Sequence, residues 1–217
     1  MTTVYFVRHC EAEGNILRIA QGHTDAPITE KGRAQIAALR ERFADIAVDA
    51  VYSSDLTRAR TTAEAIYVPK DLPLHTDRAF REINLGPWEG VKWNDLTANY
   101  PEMMDAFNHR MEDFRVEGAE TAQDVIDRFY PALMAVVKAN EGKTVVICSH
   151  GCAMRIMLTT LKGLPISAIG KEGHSDNTAV SRLEFDGETV RVVYQDDNSH
   201  LLRAGLSTLA DQNWWKE

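Results

Sequence analysis

Thr144-Val145-Val146-Ile147-Cys148-Ser149-His150-Gly151 is the stretch on which the fold turns. Its first five residues form a short apolar run without polar alternation, which marks a strand covered on both faces. Gly151 to Leu161 then carries a helical pattern, so the stretch reads as strand, tight loop, helix. The chain opens in the same way: Thr3 to Val7 is β-branched and aromatic, and polar Arg8 to Asn15 follows as a loop. Within Ala34 to Phe43, Ile36, Ala38, Leu39 and Phe43 form an apolar stripe at roughly helical spacing, behind Thr29 as a candidate cap. Asp49 to Tyr52 reads as another strand, Ser53-Ser54-Asp55 as a candidate cap and Leu56 to Tyr67 as another helix. Strands alternating with helices predict an α/β fold, three-layer α/β/α with a mostly parallel central sheet.

Pro69 to Pro73 is a turn-rich break, and Phe80 to Trp93, with Gly86-Pro87 and Gly90, reads as irregular backbone. Asn94 to Met111 is predicted helical, as is Thr121 to about Lys138, whose apolar face is Val125, Phe129, Leu133 and Val136/Val137. The segment around 92–120 is expected to form a small helical cap over the site. Ala179 to Phe185 and Thr189 to Tyr194 predict a hairpin across Asp186-Gly187. A length of 217 residues without repeat or linker suits a single domain over 1–217.

Bulk properties exclude several classes. No apolar run approaches the roughly 20 residues that a membrane span needs, and the first residues lack the features of an export signal. A cytoplasmic protein is expected, with no membrane partner. Cys10, Cys148 and Cys152 make an odd count without disulfide or zinc spacing, which fits reduced thiols and no metal site. A net charge of −8 argues against nucleic acid as a partner, because phosphate neutralisation needs a broad basic face. Trp214 and Trp215 are expected to pack rather than bind. Homo-oligomerisation stays open.

Parallel sheets bind ligands beyond the carboxyl ends of their strands. Arg8-His9-Cys10-Glu11 follows the first strand, and Ser149-His150-Gly151 follows a later one. Between them, Ser53 to Arg60 starts a helix whose amino end favours an anion. Three segments are thus expected on one rim.

This ordered set resembles the histidine phosphatase superfamily, which includes cofactor-dependent phosphoglycerate mutases and many small phosphatases. The family's Arg-His-Gly-Glu-Thr motif reads here Arg8-His9-Cys10-Glu11-Ala12, with its downstream asparagine at Asn15. Cys10 in place of glycine makes the backbone less permissive, and Ala12 removes a hydroxyl. Ser53 with Arg58, Glu82 before Leu85-Gly86-Pro87-Trp88-Glu89-Gly90, and His150-Gly151 follow in the family's order. The resemblance implies catalytic roles for His9, Glu82, His150, Arg8 and Arg58, and substrate contacts for Asn15, Gln21, Gly22, Ser53 and Gly151. It implies no metal and no organic cofactor; the expected partner is a small phosphorylated substrate.

Phosphoryl transfer needs a nucleophile, cations around the equatorial oxygens and an acid for the leaving oxygen. His9 supplies the first as a neutral imidazole whose other nitrogen is held as a donor. Arg8 and Arg58 supply guanidinium forks, with His150 expected as an imidazolium beside the dianion. One charge pair at about 4 Å contributes on the order of 4 kcal/mol before desolvation. Glu82 is the expected acid, then base. Glu11 reads equally as a structural acid. Lys92, His109, Arg110 and Arg115 are candidate contacts for a second anionic group, and solvated helix faces explain them as well.

Ile83-Asn84-Leu85 follows Glu82, no Arg-Arg pair occurs and the cap is short, which resembles the phosphatase branch. A metal-independent phosphatase is therefore expected. The alternatives are a bisphosphoglycerate-dependent phosphoglycerate mutase and a non-catalytic phosphate-binding module, the latter disfavoured because His9, Glu82 and His150 are all present.

Overall fold

The computed structural model describes residues 1–209, so Trp214 and Trp215 lie outside the described residues. Six strands build one sheet: β1 (Thr2–Arg8), β2 (Ala50–Ser53), β3 (Leu74–Thr76), β4 (Thr144–Ser149), β5 (Val180–Asp186) and β6 (Thr189–Asp197). Their order is β3-β2-β4-β1-β5-β6. β1 to β4 pair in parallel, and the β5–β6 hairpin adds antiparallel to the free side of β1. The sheet is therefore mostly parallel, with helices over both faces, as the alternating pattern implied.

Alternation along the two central strands builds both layers. Val4 and Phe6 of β1 and Val145 and Ile147 of β4 bury against one core, which includes Val125, Phe129 and Leu133 of α6 (Ala122–Ala139) and Ile156 and Met157 of α7 (Gly151–Leu161). Tyr5, Val7, Val146 and Cys148 bury into the opposite core. There they meet Leu39 of α2 (Glu30–Arg42), Phe43, and Ala63 and Ile66 of α3 (Thr57–Tyr67). Both faces being covered explains the unbroken apolar run of β4.

Local side-chain caps start α2 and α6. Thr29 Oγ1 accepts from the Gly32 amide at 2.9 Å and starts α2. Thr121 starts α6 through reciprocal bonds with Asp124, at 3.2 Å to the Asp124 amide and 2.8 Å from its own amide. The expected Ser53-Ser54-Asp55 cap of α3 does not form. Arg81 takes the Asp55 carboxylate through two bonds of 2.6 Å, and Asp25, from a distant loop, accepts from the Thr57 amide at 2.8 Å instead.

The expected helix over Asn94 to Met111 is two: α4 (Trp93–Asn99) and α5 (Pro101–His109), followed by a 3-10 turn at Met111–Asp113. Pro101 cannot donate to a continuing helix and biases Tyr100 out of helical geometry, so it restarts the helix at its first turn. This cap is welded to the core: Leu96, Met104, Phe107, Met111 and Phe114 are buried, and Phe114 meets Trp88 edge-on at 5.5 Å. β3 and two short helices, α1 (Glu13–Ile16) and α8 (Ser199–Ala204), escape sequence reading because they are too short to show a period. Among the described residues no helix is long and apolar enough to cross a membrane.

Gly32 sets how closely α2 approaches the loop after β1, because a methyl at Gly32 would overlap the Glu11 carbonyl oxygen. In an open helix Gly→Ala stabilises by about 1 kcal/mol. Here overpacking reverses the sign, and Gly32→Ala should lower stability by about 1–3 kcal/mol in urea unfolding. A gain would show that α2 shifts freely.

Candidate active site

The register of β1 with β4 ends at Arg8 opposite Ser149, so the next residue of each strand is a histidine. The His9 amide donates to the Ser149 carbonyl at 2.9 Å, and the imidazoles of His9 and His150 lie 5.2 Å apart, both buried. Ser53 of β2 pairs with Cys148, which brings α3 and its Arg58 to the same rim.

His9 Nδ1 lies 2.7 Å from the Cys10 carbonyl oxygen. A carbonyl only accepts, so Nδ1 carries the proton and Nε2 keeps its lone pair. Burial, then the charges of Arg58 and Arg8, hold the His9 pKa well below the usual imidazole value. The ring is neutral at pH 7, as a nucleophile requires. Cys10 adopts no left-handed backbone, so the missing glycine costs nothing there: its amide donates to Thr62 at 2.8 Å and burial pushes its thiol up to about 11.

Arg58 is 1% exposed. It donates to the carbonyls of Gly22 and Thr24, each at 2.7 Å, and pairs with Asp25 at 3.3 Å; its Nε has no partner among the described residues. Gly22, at φ +48°, makes the turn that presents its carbonyl to Arg58. Arg8 donates to the Ser175 carbonyl and lies against Gly151. The Asn15 carboxamide oxygen accepts from the Ala12 amide at 3.0 Å, which leaves its NH2 for a ligand.

Glu82 comes from the irregular loop, as expected, and caps α7. Its carboxylate accepts from the amides of Cys152 at 3.1 Å, Ala153 at 2.7 Å and Ile83 at 3.0 Å. Arg128 of α6 holds this loop by donating to the carbonyls of Ala79, Arg81 and Glu82 while pairing with Glu120 at 2.7 Å. His23 bonds the Glu82 carbonyl at 2.8 Å, and Glu89 accepts from the amides of His23, Thr24 and Leu85.

Arg8, His9, Asn15, Gln21, Gly22, Arg58, Glu82 and Gly151 line one cleft. Ser53 does not: it is buried at the end of β2, where its hydroxyl donates to the Ser54 carbonyl at 2.8 Å. His150 sits behind the cleft lining, and neither ring nitrogen has a partner among the described residues. Burial, then Arg58 and His9, hold its pKa well below the usual value. The imidazolium expected at His150 is therefore absent at neutral pH unless an anion beside it offsets these costs.

The cap cations also fall elsewhere. His109 and Arg110 pair with Asp105, Arg115 donates to the Phe114 carbonyl, and Lys92 is exposed. Arg18 and Arg155 line the cleft instead. Arg155 follows Gly151 and Cys152 at helical spacing, a signal the sequence did contain. Arg128, Glu89 and Glu120 gave none, because their partners lie far away in the chain.

A loop after α7 pins the nucleophile from outside. The Asn177 carboxamide donates to the His9 carbonyl at 3.0 Å, and the Thr178 amide donates to the Arg8 carbonyl at 3.1 Å. Buried Asp176 anchors that loop by accepting from the amides of Asn177 and Thr208, the hydroxyls of Ser207 and Thr208, and Asn198.

This arrangement of paired histidines, buried arginines and an anchored carboxylate at the strand ends of an α/β sheet defines a phosphoryl-handling site. The chain belongs to the histidine phosphatase superfamily (branch 1), whose sequence profile matches residues 4–198. It is 31% identical to a probable phosphoglycerate mutase GpmB of Salmonella choleraesuis over 85% of this chain and 86% of that one. Among solved structures it is similar to Bacillus stearothermophilus YhfR, at 32% identity and TM-score 0.89 over 93% of this chain and 100% of that one. It also resembles a mycobacterial glucosyl-3-phosphoglycerate phosphatase complexed with VO3, at 27% identity and TM-score 0.82 over 90% and 99% of the two chains. Members of the superfamily are phosphatases or mutases, and a phosphohistidine mechanism is general to them.

Burial alone would raise the Asp176 pKa, but the hydrogen bonds from Ser207 and Thr208 outweigh it and hold it below the usual aspartate value. A depressed carboxyl stabilises the fold above its unfolded pKa, near 3.9, and loses that contribution as pH falls through the lower folded value. Asp176→Ala should cost about 3 kcal/mol in urea unfolding at pH 7. The gap from the wild type should narrow below about pH 4. A gap independent of pH would assign the loss to packing alone.

Proposed function

We propose that the chain hydrolyses small phosphate monoesters through a phosphohistidine on His9, with water as the final acceptor and no metal. The observation that carries this reading is the neutral His9 imidazole, its Nδ1 tied to the Cys10 carbonyl at 2.7 Å, set among buried Arg58 and half-buried Arg8. Nε2 attacks phosphorus and the bond to the leaving oxygen breaks. Arg8 and Arg58 hold the equatorial oxygens as charge moves onto them. The arriving dianion favours a proton on His150, which then donates to the same group. Glu82 gives its proton to the leaving oxygen, then takes one from the water that breaks the N–P bond and frees phosphate. Reducing cytoplasm is the compartment that suits three free cysteines.

Hydrolysis rather than isomerisation is supported by the cap. A mutase must hold its dephosphorylated intermediate and exclude water while it reorients. Here the cap cations at 109–110 are spent on Asp105, and Arg115 on a backbone carbonyl. Mutase activity is the second reading, favoured by the name of the Salmonella relative.

His9→Ala should lower turnover by about 10⁴-fold or more, and a rapid quench that avoids acid should trap labelled phosphate on the wild type alone. Near-normal turnover in the variant would overturn the mechanism. With 3-phosphoglycerate, with and without 2,3-bisphosphoglycerate, free phosphate should form. Bisphosphate-dependent isomerisation with little phosphate would promote the mutase.

Glu82→Gln keeps the size of the side chain but neither delivers nor takes a proton. It should slow alkyl phosphates by about 10²-fold or more and p-nitrophenyl phosphate far less, since nitrophenolate leaves unaided. Equal slowing of both would make Glu82 only the cap of α7.

A further inference from the structure

Beyond the phosphoryl pocket, the cleft contains a second buried cation, Arg155 of α7, which is 7% exposed. Four other buried or half-buried arginines face a carboxylate: Arg58 with Asp25, Arg81 with Asp55, Arg128 with Glu120 and Arg42 with Asp197. Arg155 has no carboxylate within ion-pair distance among the described residues, and its Nε lacks a hydrogen-bond partner. Its neighbours are neutral at pH 7. His174 Nε2 lies 3.5 Å from Nη1, and burial, then Arg155 and Arg8, pull the His174 pKa down to about 3. Burial pushes the nearby Cys152 thiol up to about 12. Glu172 feels the Arg155 charge, but it is bonded to Lys162 at 2.8 Å and Gln195 at 3.1 Å. Burying a cation without an anion is unfavourable, so the arrangement calls for one.

The position says where that anion belongs. Gly151, Cys152 and Arg155 share one face of α7, and Arg155 lies one turn, about 5 Å, beyond the residues at the helix end where Glu82 is anchored. Asn108 of α5 lines the same cleft, with its buried carboxamide oxygen unpartnered among the described residues, as do the stacked rings of Trp93 and Phe107. The substituents of an alcohol leaving toward Glu82 thus share this cleft with Arg155.

We propose that Arg155 binds a carboxylate on the leaving group, so that the preferred substrates are phosphorylated hydroxy acids. The assignment rests on the phosphatase reading above and names its substrate class. The guanidinium fork matches a carboxylate with two parallel bonds, and a carboxylate completes the ion pair that the protein leaves open.

The test compares 3-phosphoglycerate with glycerol 3-phosphate, which differ only in a carboxylate replaced by a hydroxymethyl group. The wild type should favour 3-phosphoglycerate at least tenfold in kcat/KM. Arg155→Met should reduce that ratio toward one, and Arg155→Lys, which keeps the charge without the fork, should retain part of it. A ratio unchanged in Arg155→Met, or no preference in the wild type, would overturn the proposal. Calorimetric binding of both ligands to His9→Ala protein, with and without Arg155→Met, gives the same ratio without turnover. Failure of the phosphatase reading would appear separately, as absence of phosphate release from both esters and from p-nitrophenyl phosphate.

Discussion

β1 and β4 run side by side without a break from Thr3 opposite Thr144 to Arg8 opposite Ser149. Because side chains alternate across a strand, slipping this pairing by one residue would send Val4, Phe6, Val145 and Ile147 out of register with each other and break both cores. The same register places His9 and His150 next to one another at the strand ends, with rings 5.2 Å apart. Packing energy thus holds the histidine pair, and no loop has to find it. Charge comes from α3 and from the Glu82 loop, and each charged group arrives with a tether: Arg58 through two carbonyls, Glu82 through three amides, the Glu82 loop through Arg128.

The histidines and the parallel sheet were legible in the sequence because the signals are local. An apolar β-branched run followed by a helical period defines a strand-to-helix rim, and Arg8-His9 and His150-Gly151 sit on it. Helix breaks were legible in principle through Pro101, and the split of α4 from α5 there shows the weight that a single missing N–H carries. Ser53 was misread for the opposite reason: it lies at the right strand end, but the side of the strand on which its hydroxyl falls depends on a pairing that one segment does not display. The tethers were not legible at all. Arg128, Glu89, Glu120 and Asp176 act on residues distant in sequence, and a charged residue on a helix or loop reads as surface until the fold shows what it touches.

The electrostatics of the cleft follow from burial more than from composition. A net charge of −8 coexists with a cleft lined by Arg8, Arg58 and Arg155, because the acidic residues lie mainly outside it. Burial, with Arg58 next in weight at both, keeps His9 and His150 neutral, which suits His9 as a nucleophile and leaves His150 able to gain a proton when negative charge arrives. One low-dielectric environment thereby serves two identical side chains differently. His9 is fixed in its tautomer by the Cys10 carbonyl, whereas His150 has no partner among the described residues and stays free to answer the charge beside it.

Three of the cleft arginines, Arg8, Arg58 and Arg155, differ in what they already hold, and that difference separates their work. Arg58 is held by two backbone carbonyls and Asp25 while its Nε stays open, so it is rigid and only partly neutralised, a suitable cradle for an oxygen whose charge changes during reaction. Arg8 is tied by the Ser175 carbonyl beside Gly151. Arg155 meets only neutral groups at close range, and a fixed cation of that kind gains most from an anion whose charge stays constant through the reaction, which lowers KM more than it raises kcat. A carboxylate on the leaving group fits that description and a reacting phosphoryl oxygen does not. The position of Arg155 one turn along α7 therefore places substrate selection beside the chemistry while keeping the two energetically apart.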